Sequence, residues 1–363
     1  MKYLFNKKIT VHEMNFKDSS YWDHYVKNHG QSTLYHLFKW RHIIEKTYGH
    51  KTYCLAAADN NKSYPVRGIL PLVHLKHFIF GNKLISMPFF DLGGILADDE
   101  KAEKVLIDKA VTLARHLNVD QVELRHITPL SIDSGLQEYQ YRLQTVSSKV
   151  RMLLKLPNCS ETLMNSFKAK LRSQIKRPLK AGFYSKIGGK ELLDDFYNVF
   201  SVNMRDLGSP VHSKSLIKNI LIEFPGNAKI VMVYKEQQPA ACSFITGFKD
   251  TLSNPWASAL REYSRFSPNM LLYWTMLDYA CDNGYNYFDF GRSSPGEGTY
   301  KFKQQWGARP IALNWQYIVL KNETKNLSSD DKSRFDQAIE YWKKLPVCLT
   351  KIIGPVIRKN IGL

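Results

Sequence analysis

The sequence predicts a mixed α/β protein made of two successive copies of one domain, on three observations. The chain has 363 residues, more than one ordinary domain holds and enough for two of about 150–200 residues. Helix-period and strand-period apolar patterns alternate along it. Finally, QVELRH (Gln121–His126) and YNYFDFGR (Tyr285–Arg292) echo each other. Each follows a hairpin-like pair, a long helix and an Asn-containing turn, Leu117-Asn118-Val119 in one case and Asn283-Gly284-Tyr285 in the other.

The elements read in order as follows. Ser19–His29 and Phe38–Tyr48 have helical spacing, and Thr52–Ala58 reads as a strand. Val66–His77 is a long strand with irregular points marked by Gly68 and Pro71. Lys83–Ser86 is a short strand, Met87–Asp98 a glycine-containing loop or strand, and Glu100–Leu117 a helix ahead of the strand Gln121–His126. A strand at Val150–Leu156 opens the second half. Helices follow over Glu161–Leu179, Lys190–Leu207 and Ser213–Glu223. Ala228–Tyr234 and Ala240–Gly247 fit a hairpin, and Ser253–Leu260 a further strand. Ser267 and Pro268 mark the N-cap and first residue of a helix to Asp282. Strands at Tyr285–Phe290 and Ile311–Leu320, a polar linker at Asn322–Asp331 and a helix at Lys332–Lys344 complete the series. The expected division is 1–148, 149–322, and a helical, amphipathic, basic tail at 323–363.

Composition excludes several classes. With 44% hydrophobic and 13% aromatic residues the chain buries a large core and is not disordered. No run reaches the ~18–20 apolar residues of a membrane-spanning helix, and the N-terminus lacks the apolar stretch of a signal peptide. The five cysteines are far apart and form no CxxC or zinc spacing, so the expectation is a reduced, cytoplasmic protein without disulfides or a structural metal. No tightly bound cofactor is expected either. Lys+Arg number 51 against 33 Asp+Glu, a net charge of +18. Eleven of those cations and a single acid, Glu161, lie between Lys149 and Lys190. Such a stretch attracts tRNA, a nucleotide-linked substrate or anionic lipid, or forms a solvated helix face. From Tyr341 onward there are five basic residues and no acid, with Leu345, Leu349, Ile352, Ile353, Val356 and Ile357 near helical spacing. Gly354-Pro355 is expected to kink or break that helix. The pattern suits a helix lying in a membrane interface, or one docked on the protein's own surface.

Chemistry concentrates in YFDFGRSSPGEGTYKFKQQWG, Tyr287–Gly307. In α/β folds ligands bind beyond the carboxyl ends of strands, which places Asp289, Arg292 and Ser293 at the mouth of a cleft. Lys303 is a fixed cation able to stabilise an oxyanion in acyl transfer. Asp289 or Glu297 would accept a proton and Tyr300 would donate one to the leaving group. Arg292, Lys301 and Arg205 would hold anionic parts of the substrates. Arg205 and His212 belong to a second cluster, NMRDLGSPVHSK, and Trp306 closes the first. Walker, GxGxxG and GxSxG motifs are absent. So is the acetyl-CoA phosphate loop (R/Q)xxGx(G/A); Arg177-Pro178-Leu179-Lys180 departs from it at the first glycine.

The segments MRDLGSPVHSK, SPNMLLYWTMLDYACDNGYNYFDFGRS and GTYKFKQQWGARP, with GILPLVHLKHFIFGNKLISMPFFDLGGILAD and VELRH in the first half, carry a resemblance over nearly the whole chain. The sequence resembles the FemAB/FemABX-like branch of the GNAT superfamily, and within it the FemAB-like proteins associated with exosortase (XrtA/PEP-CTERM) and extracellular-polysaccharide systems. The resemblance implies two tandem GNAT-like domains, each a mixed, mostly antiparallel sheet flanked by helices. It also implies transfer of an aminoacyl group from aminoacyl-tRNA to an amine on a peptidoglycan precursor. The family's Phe-Lys motif falls on Phe302 and Lys303, near the tetrahedral intermediate. Departures point away from a UDP-linked acceptor: Trp40 is followed by Arg41 and His42, and Pro88–Gly94, which includes Asp91 as a substrate-binding candidate, lacks the family's arginine.

The expected function is therefore acyl or aminoacyl transfer, from aminoacyl-tRNA or acyl-CoA, to an amine or hydroxyl of a peptidoglycan- or exopolysaccharide-related precursor. Peripheral contact with an anionic membrane is part of that expectation. The rival is a non-catalytic, membrane-associated scaffold of a polysaccharide synthesis system.

Overall fold

The structure is a computed structural model that describes residues 9–59, 65–130, 142–320 and 329–362. Of the polar linker expected at 322–331, residues 322–328 lie outside them, and 329–331 already belong to the helix Ser329–Lys344. The chain divides into two units. Unit 1 takes Met1–Ser148, Ala312–Thr324 and Asn360–Leu363; unit 2 takes Lys149–Ile311 and Lys325–Lys359. Neither unit is one continuous stretch, and the expected tail 323–363 is divided between them.

In chain order unit 1 contains β1 (Ile9–Glu13), α1 (Ser19–Asn28), α2 (Lys39–Tyr48), β2 (Lys51–Asp59), β3 (Val66–His77), β4 (Gly81–Ile85), β5 (Leu96–Ala97), α3 (Glu100–His116) and β6 (Gln121–His126). β7 (Arg142–Lys155) runs into unit 2, which continues with α4 (Ser160–Ser166), α5 (Ala169–Lys180), β8 (Phe183–Gly188), α6 (Leu193–Asp206) and α7 (Lys214–Glu223). It goes on through β9 (Ala228–Lys235), β10 (Gln238–Phe248), β11 (Thr251–Ala259), α8 (Pro268–Asp282), β12 (Tyr287–Ser293) and α9 (Gly298–Gln304). β13 (Arg309–Val319) precedes α10 (Ser329–Lys344) and α11 (Val347–Arg358).

The two units share one topology. In unit 1, β1, β2, β3 and β4 pair antiparallel in sequence, α3 follows, and β6 then pairs parallel to β4. In unit 2, β8, β9, β10 and β11 pair antiparallel, α8 follows, and β12 pairs parallel to β11. An antiparallel strand closes each copy: β13 lies on β6, and the second half of β7 lies on β12. The strand that follows β6 in sequence thus serves copy 2, and the one that follows β12 serves copy 1.

Local chemistry explains the elements that matter here. α3 starts because the Asp99 carboxylate accepts the Ala102 N–H, and it buries Ala102, Leu106, Ile107, Ala110, Val111 and Ala114 in the core of unit 1. Each large aliphatic residue so covered contributes about 1.5–3 kcal/mol. α8 buries nine residues and joins Met152, Ile175, Phe288, Phe290 and Trp306 in the core of unit 2. Its N-cap is Ser267 and Pro268 follows, but the Ser267 side chain makes no cap bond; its backbone is left-handed, φ 59°.

Three expectations need correction. Glu161–Leu179 is two helices, because Phe167 leaves the helical region and its N–H closes onto the Met164 carbonyl. Pro71 pairs regularly with Cys54; the irregularity of β3 is at Gly68, where Val66 and Gly68 oppose the adjacent Ala58 and Ala57. α11 runs through Gly354-Pro355 without a break.

Candidate active site

Each copy places a parallel strand pair beside its closing strand, and the registers can be laid over one another. In copy 1 Lys83, Leu84 and Ile85 pair with Gln121, Val122 and Glu123. In copy 2 Thr251, Leu252 and Ser253 pair with Tyr287, Phe288 and Asp289. Glu123 therefore corresponds to Asp289, and Arg125 to Gly291.

Copy 1 fills the place beyond its last pair. Arg125 is 1% exposed and donates to Glu123 at 2.7 Å, to the Met87 carbonyl at 3.2 Å and to the Phe90 carbonyl. Its guanidinium lies 4.5 Å from the Trp315 ring centre.

Copy 2 has no side chain at that point. Gly291 adopts φ +74°, and a Cβ there would lie 3.1 Å from the Asn254 carbonyl oxygen. Two bulges end the ladder: Asn254-Pro255 oppose the single residue Ile245 on β10, and Phe290-Gly291 oppose the single residue Met152 on β7. Pro255 has no N–H to give a neighbouring strand. Asn254 Oδ1 accepts the Ser243 hydroxyl at 2.9 Å, while its buried Nδ2, turned toward the Tyr273 hydroxyl, has no partner within hydrogen-bond distance. Ser293 Oγ is also buried without a partner, and so is Arg151 Nε. Unpartnered buried polar atoms are costly. Six more occur elsewhere among the described residues, His126 Nδ1 at the end of β6 included, and what sets these three apart is their place on the adjacent strands β11, β12 and β7 around Gly291.

Around them stand the residues singled out in the sequence. Asp289 is 7% exposed; one carboxylate oxygen accepts the Gly291 N–H at 2.9 Å and the other meets Arg151 at 2.8 Å. Its ion-pair partner is Arg151. Lys303, also 7% exposed, donates to the carbonyls of Gly291 at 3.1 Å and Arg292 at 2.9 Å, which fixes its ammonium at the carboxyl end of β12. Phe302 packs edge-on against Tyr273, which stacks on Phe290. Burial pushes the Tyr273 hydroxyl up to about 12, with the Asn254 amide opposing the shift. Tyr300 is half-buried in α9, and Glu297 and Lys301 are exposed at its start and on its surface.

Other candidates are elsewhere. Trp306 is 1% exposed and lies in the core against Phe167, so it backs the site and does not face a substrate. His212 has no exposed surface and accepts from Arg358 Nε at 3.1 Å; burial, then the Arg358 charge, hold its pKa well below the ordinary value. Arg205 pairs with Asp206 at 2.6 Å and donates to the Leu345 carbonyl at 3.0 Å. These two anchor the C-terminal helices. Asp91 lies in unit 1, where its carbonyl accepts the Trp315 indole at 3.1 Å. Arg177–Lys180 is the end of helix α5, with Pro178 inside it, and forms no phosphate loop. The basic residues Lys168, Lys170, Lys176 and Arg177 are solvent-exposed. Among the described residues no group of three or more His, Cys, Asp or Glu could hold a metal, and no helix is long and apolar enough to cross a membrane.

Sequence reading missed Arg151, Asn254 and Tyr273. A signal existed for one of them: a proline inside a strand, at Asn254-Pro255, marks a bulge.

Residues 165–304 match a family model described as an acetyltransferase (GNAT) domain. Most of the site described above lies in that stretch. No curated protein matches the chain. Among solved structures, FemX is similar at 16% identity and a TM-score of 0.65, over 85% of this chain and 98% of FemX. A tandem GNAT protein from the clavulanic acid biosynthesis pathway is similar at 10% identity and a TM-score of 0.56, over 87% and 100% of the two chains. L-PGS from Bacillus licheniformis is similar at 11% identity and a TM-score of 0.51, over 90% and 96%. The fold is thus α/β, two tandem GNAT-like copies.

Proposed function

We propose that the chain is an acyltransferase that moves an acyl group, in the sharper form an aminoacyl group, onto an amine or hydroxyl of a cell-envelope precursor, at the end of the β11–β12 pair. One observation carries the reading: copy 2 leaves the buried Asn254 Nδ2 and Ser293 Oγ unpartnered where the ladder opens, while copy 1 closes the same place with Arg125. The acetyltransferase description of the matched family supports acyl transfer. The name FemX, and that of a putative lysylphosphatidylglycerol synthetase from Agrobacterium fabrum with a TM-score of 0.51, support the aminoacyl and envelope parts.

The chemistry is an addition followed by an elimination. The acceptor nitrogen or oxygen bonds to the acyl carbon, the carbonyl electrons move to its oxygen, and the leaving group departs with the proton the acceptor gives up. Lys303 supplies a fixed positive charge in a nearly water-free position, where electrostatic stabilisation of an oxyanion is strongest. Asn254 and Ser293 add neutral donors. Both oxygens of Asp289 are engaged, so Asp289 orients Arg151 and the Gly291 turn, and Glu297 takes the proton, through water where it is distant. Tyr300 serves the leaving group, and Arg292 and Lys301 its anionic parts.

The test offers radiolabelled aminoacyl-tRNA and acyl-CoA in parallel, with an envelope extract as acceptor. Label is expected to move, and Lys303→Ala to lower turnover by roughly 10²–10³. Lys303→Met with an unchanged melting temperature separates the charge from the packing. Label from acyl-CoA alone would replace aminoacyl by acyl transfer. No transfer by the folded protein from either donor would overturn the reading in favour of a scaffold.

A further inference from the structure

α11 packs with its apolar side outward. Leu349, Ile352, Ile353 and Val356 stand at i, i+3, i+4 and i+7, a single helical stripe, and are 43%, 70%, 41% and 60% exposed. The opposite side is buried and is made of Thr350, Gly354 and Arg358. Gly354 lets the helix rest on the backbone of Val211, whose nitrogen would lie 3.0 Å from a Cβ there. Arg358 donates to His212 at 3.1 Å, and Lys351 to Asn198 Oδ1 at 2.7 Å. Small and polar contacts therefore fix the rotation of the helix, and they hold its most apolar surface in water. Four contiguous exposed aliphatic side chains on a well-anchored helix mark an interaction surface.

Charge selects the partner. Between Tyr341 and Ile361 the chain carries Lys343, Lys344, Lys351, Arg358 and Lys359 and no acid. Arg358 is buried on His212 and Lys343 pairs with Glu340 at 2.6 Å. Lys351 is held on Asn198 on the docked side; the cations that flank the stripe are Lys344, exposed at the end of α10, and Lys359, half-buried just after α11. An aliphatic stripe rimmed by long cationic side chains is complementary to an anionic bilayer surface: the aliphatic groups enter the headgroup–acyl boundary and the ammonium groups reach lipid phosphates. The net charge of +18 acts in the same direction.

We infer that α11 docks the protein on an anionic lipid bilayer, with Leu349, Ile352, Ile353 and Val356 inserted and Lys344 and Lys359 at the headgroups. This holds whichever group is transferred, and whether or not transfer occurs.

The experiment is co-sedimentation of the full chain with vesicles of phosphatidylcholine alone and with one-third phosphatidylglycerol. Binding is expected to be at least about tenfold tighter on the anionic vesicles and to weaken steeply in 0.5 M salt. The double variant Ile352→Asn/Val356→Asn loses it while keeping the wild-type melting temperature, and Lys344→Glu weakens it several-fold. Three results would overturn the inference: equal binding to both vesicle types, a folded double variant that binds like wild type, or a dimer of the wild-type chain that the double variant splits, which would assign the stripe to a second copy.

Discussion

At Gly291 one missing side chain separates the two copies. The corresponding position in copy 1 holds Arg125, which makes hydrogen bonds across the place that copy 2 leaves lined with unpartnered donors. Glycine is required there for two reasons: its φ of +74° is left-handed, and a Cβ would press on the Asn254 carbonyl at 3.1 Å. Gly291→Ala should cost about 1–2 kcal/mol from the backbone alone. A chemical denaturation midpoint lowered accordingly, with turnover falling more than stability, is the expected result; an unchanged midpoint would remove the strain argument. The sequence made part of this visible. QVELRH and YFDFGR could be recognised as one repeated strand, and the densest cluster of polar groups could be located. The exchange of Arg125 for Gly291 had no meaning until pairing registers gave the two strands a common frame. Arg151 was hidden for a similar reason: it sits in a basic segment, and its partner Asp289 is remote in sequence.

At the scale of the element, α11 shows how periodicity can be right and orientation still unknown. Its apolar stripe is plain in the sequence, and a stripe ordinarily faces the core. What reverses it is a glycine over a neighbouring backbone and one buried arginine–histidine bond, both long-range facts. Pro355 does not break the helix because it removes one backbone hydrogen bond while the Lys359 N–H still closes onto the Pro355 carbonyl. Gly354→Val would drive two methyl groups into the Val211 backbone. That variant should release α11 and expose the bonds after Lys351 and Lys359 to trypsin, with the rest of the chain cut no faster. Resistance equal to wild type would mean that the contact at Gly354 is not what seats the helix.

For the whole molecule, acid stability follows from three buried histidines. Burial is the main cause in each: it pushes His36 down to about 3 and His126 to about 4, and holds His212 well below the ordinary value with Arg358 adding to the effect. Below pH 6.5 the unfolded chain takes up protons on these groups while the folded chain does not. Stability is therefore full above pH 6.5 and falls as pH drops toward 4, by about 1.4 kcal/mol per pH unit for each histidine. Melting temperatures across that range should show the decline; a flat profile would contradict it. The α/β class and the twofold repeat were legible because periodicity and turn residues are local. The closing strands were not, since β13 pairs with β6 and β7 with β12, against their order in the chain. That exchange bears on synthesis. When the ribosome has finished β6, the strand that must cover its open edge lies nearly two hundred residues ahead. At about 5–20 residues per second, the edge stays exposed for roughly 10–40 s. During that interval the nascent chain offers Val122, Leu124 and a row of free backbone amides to any passing strand, and copy 2 must be largely translated before copy 1 can close.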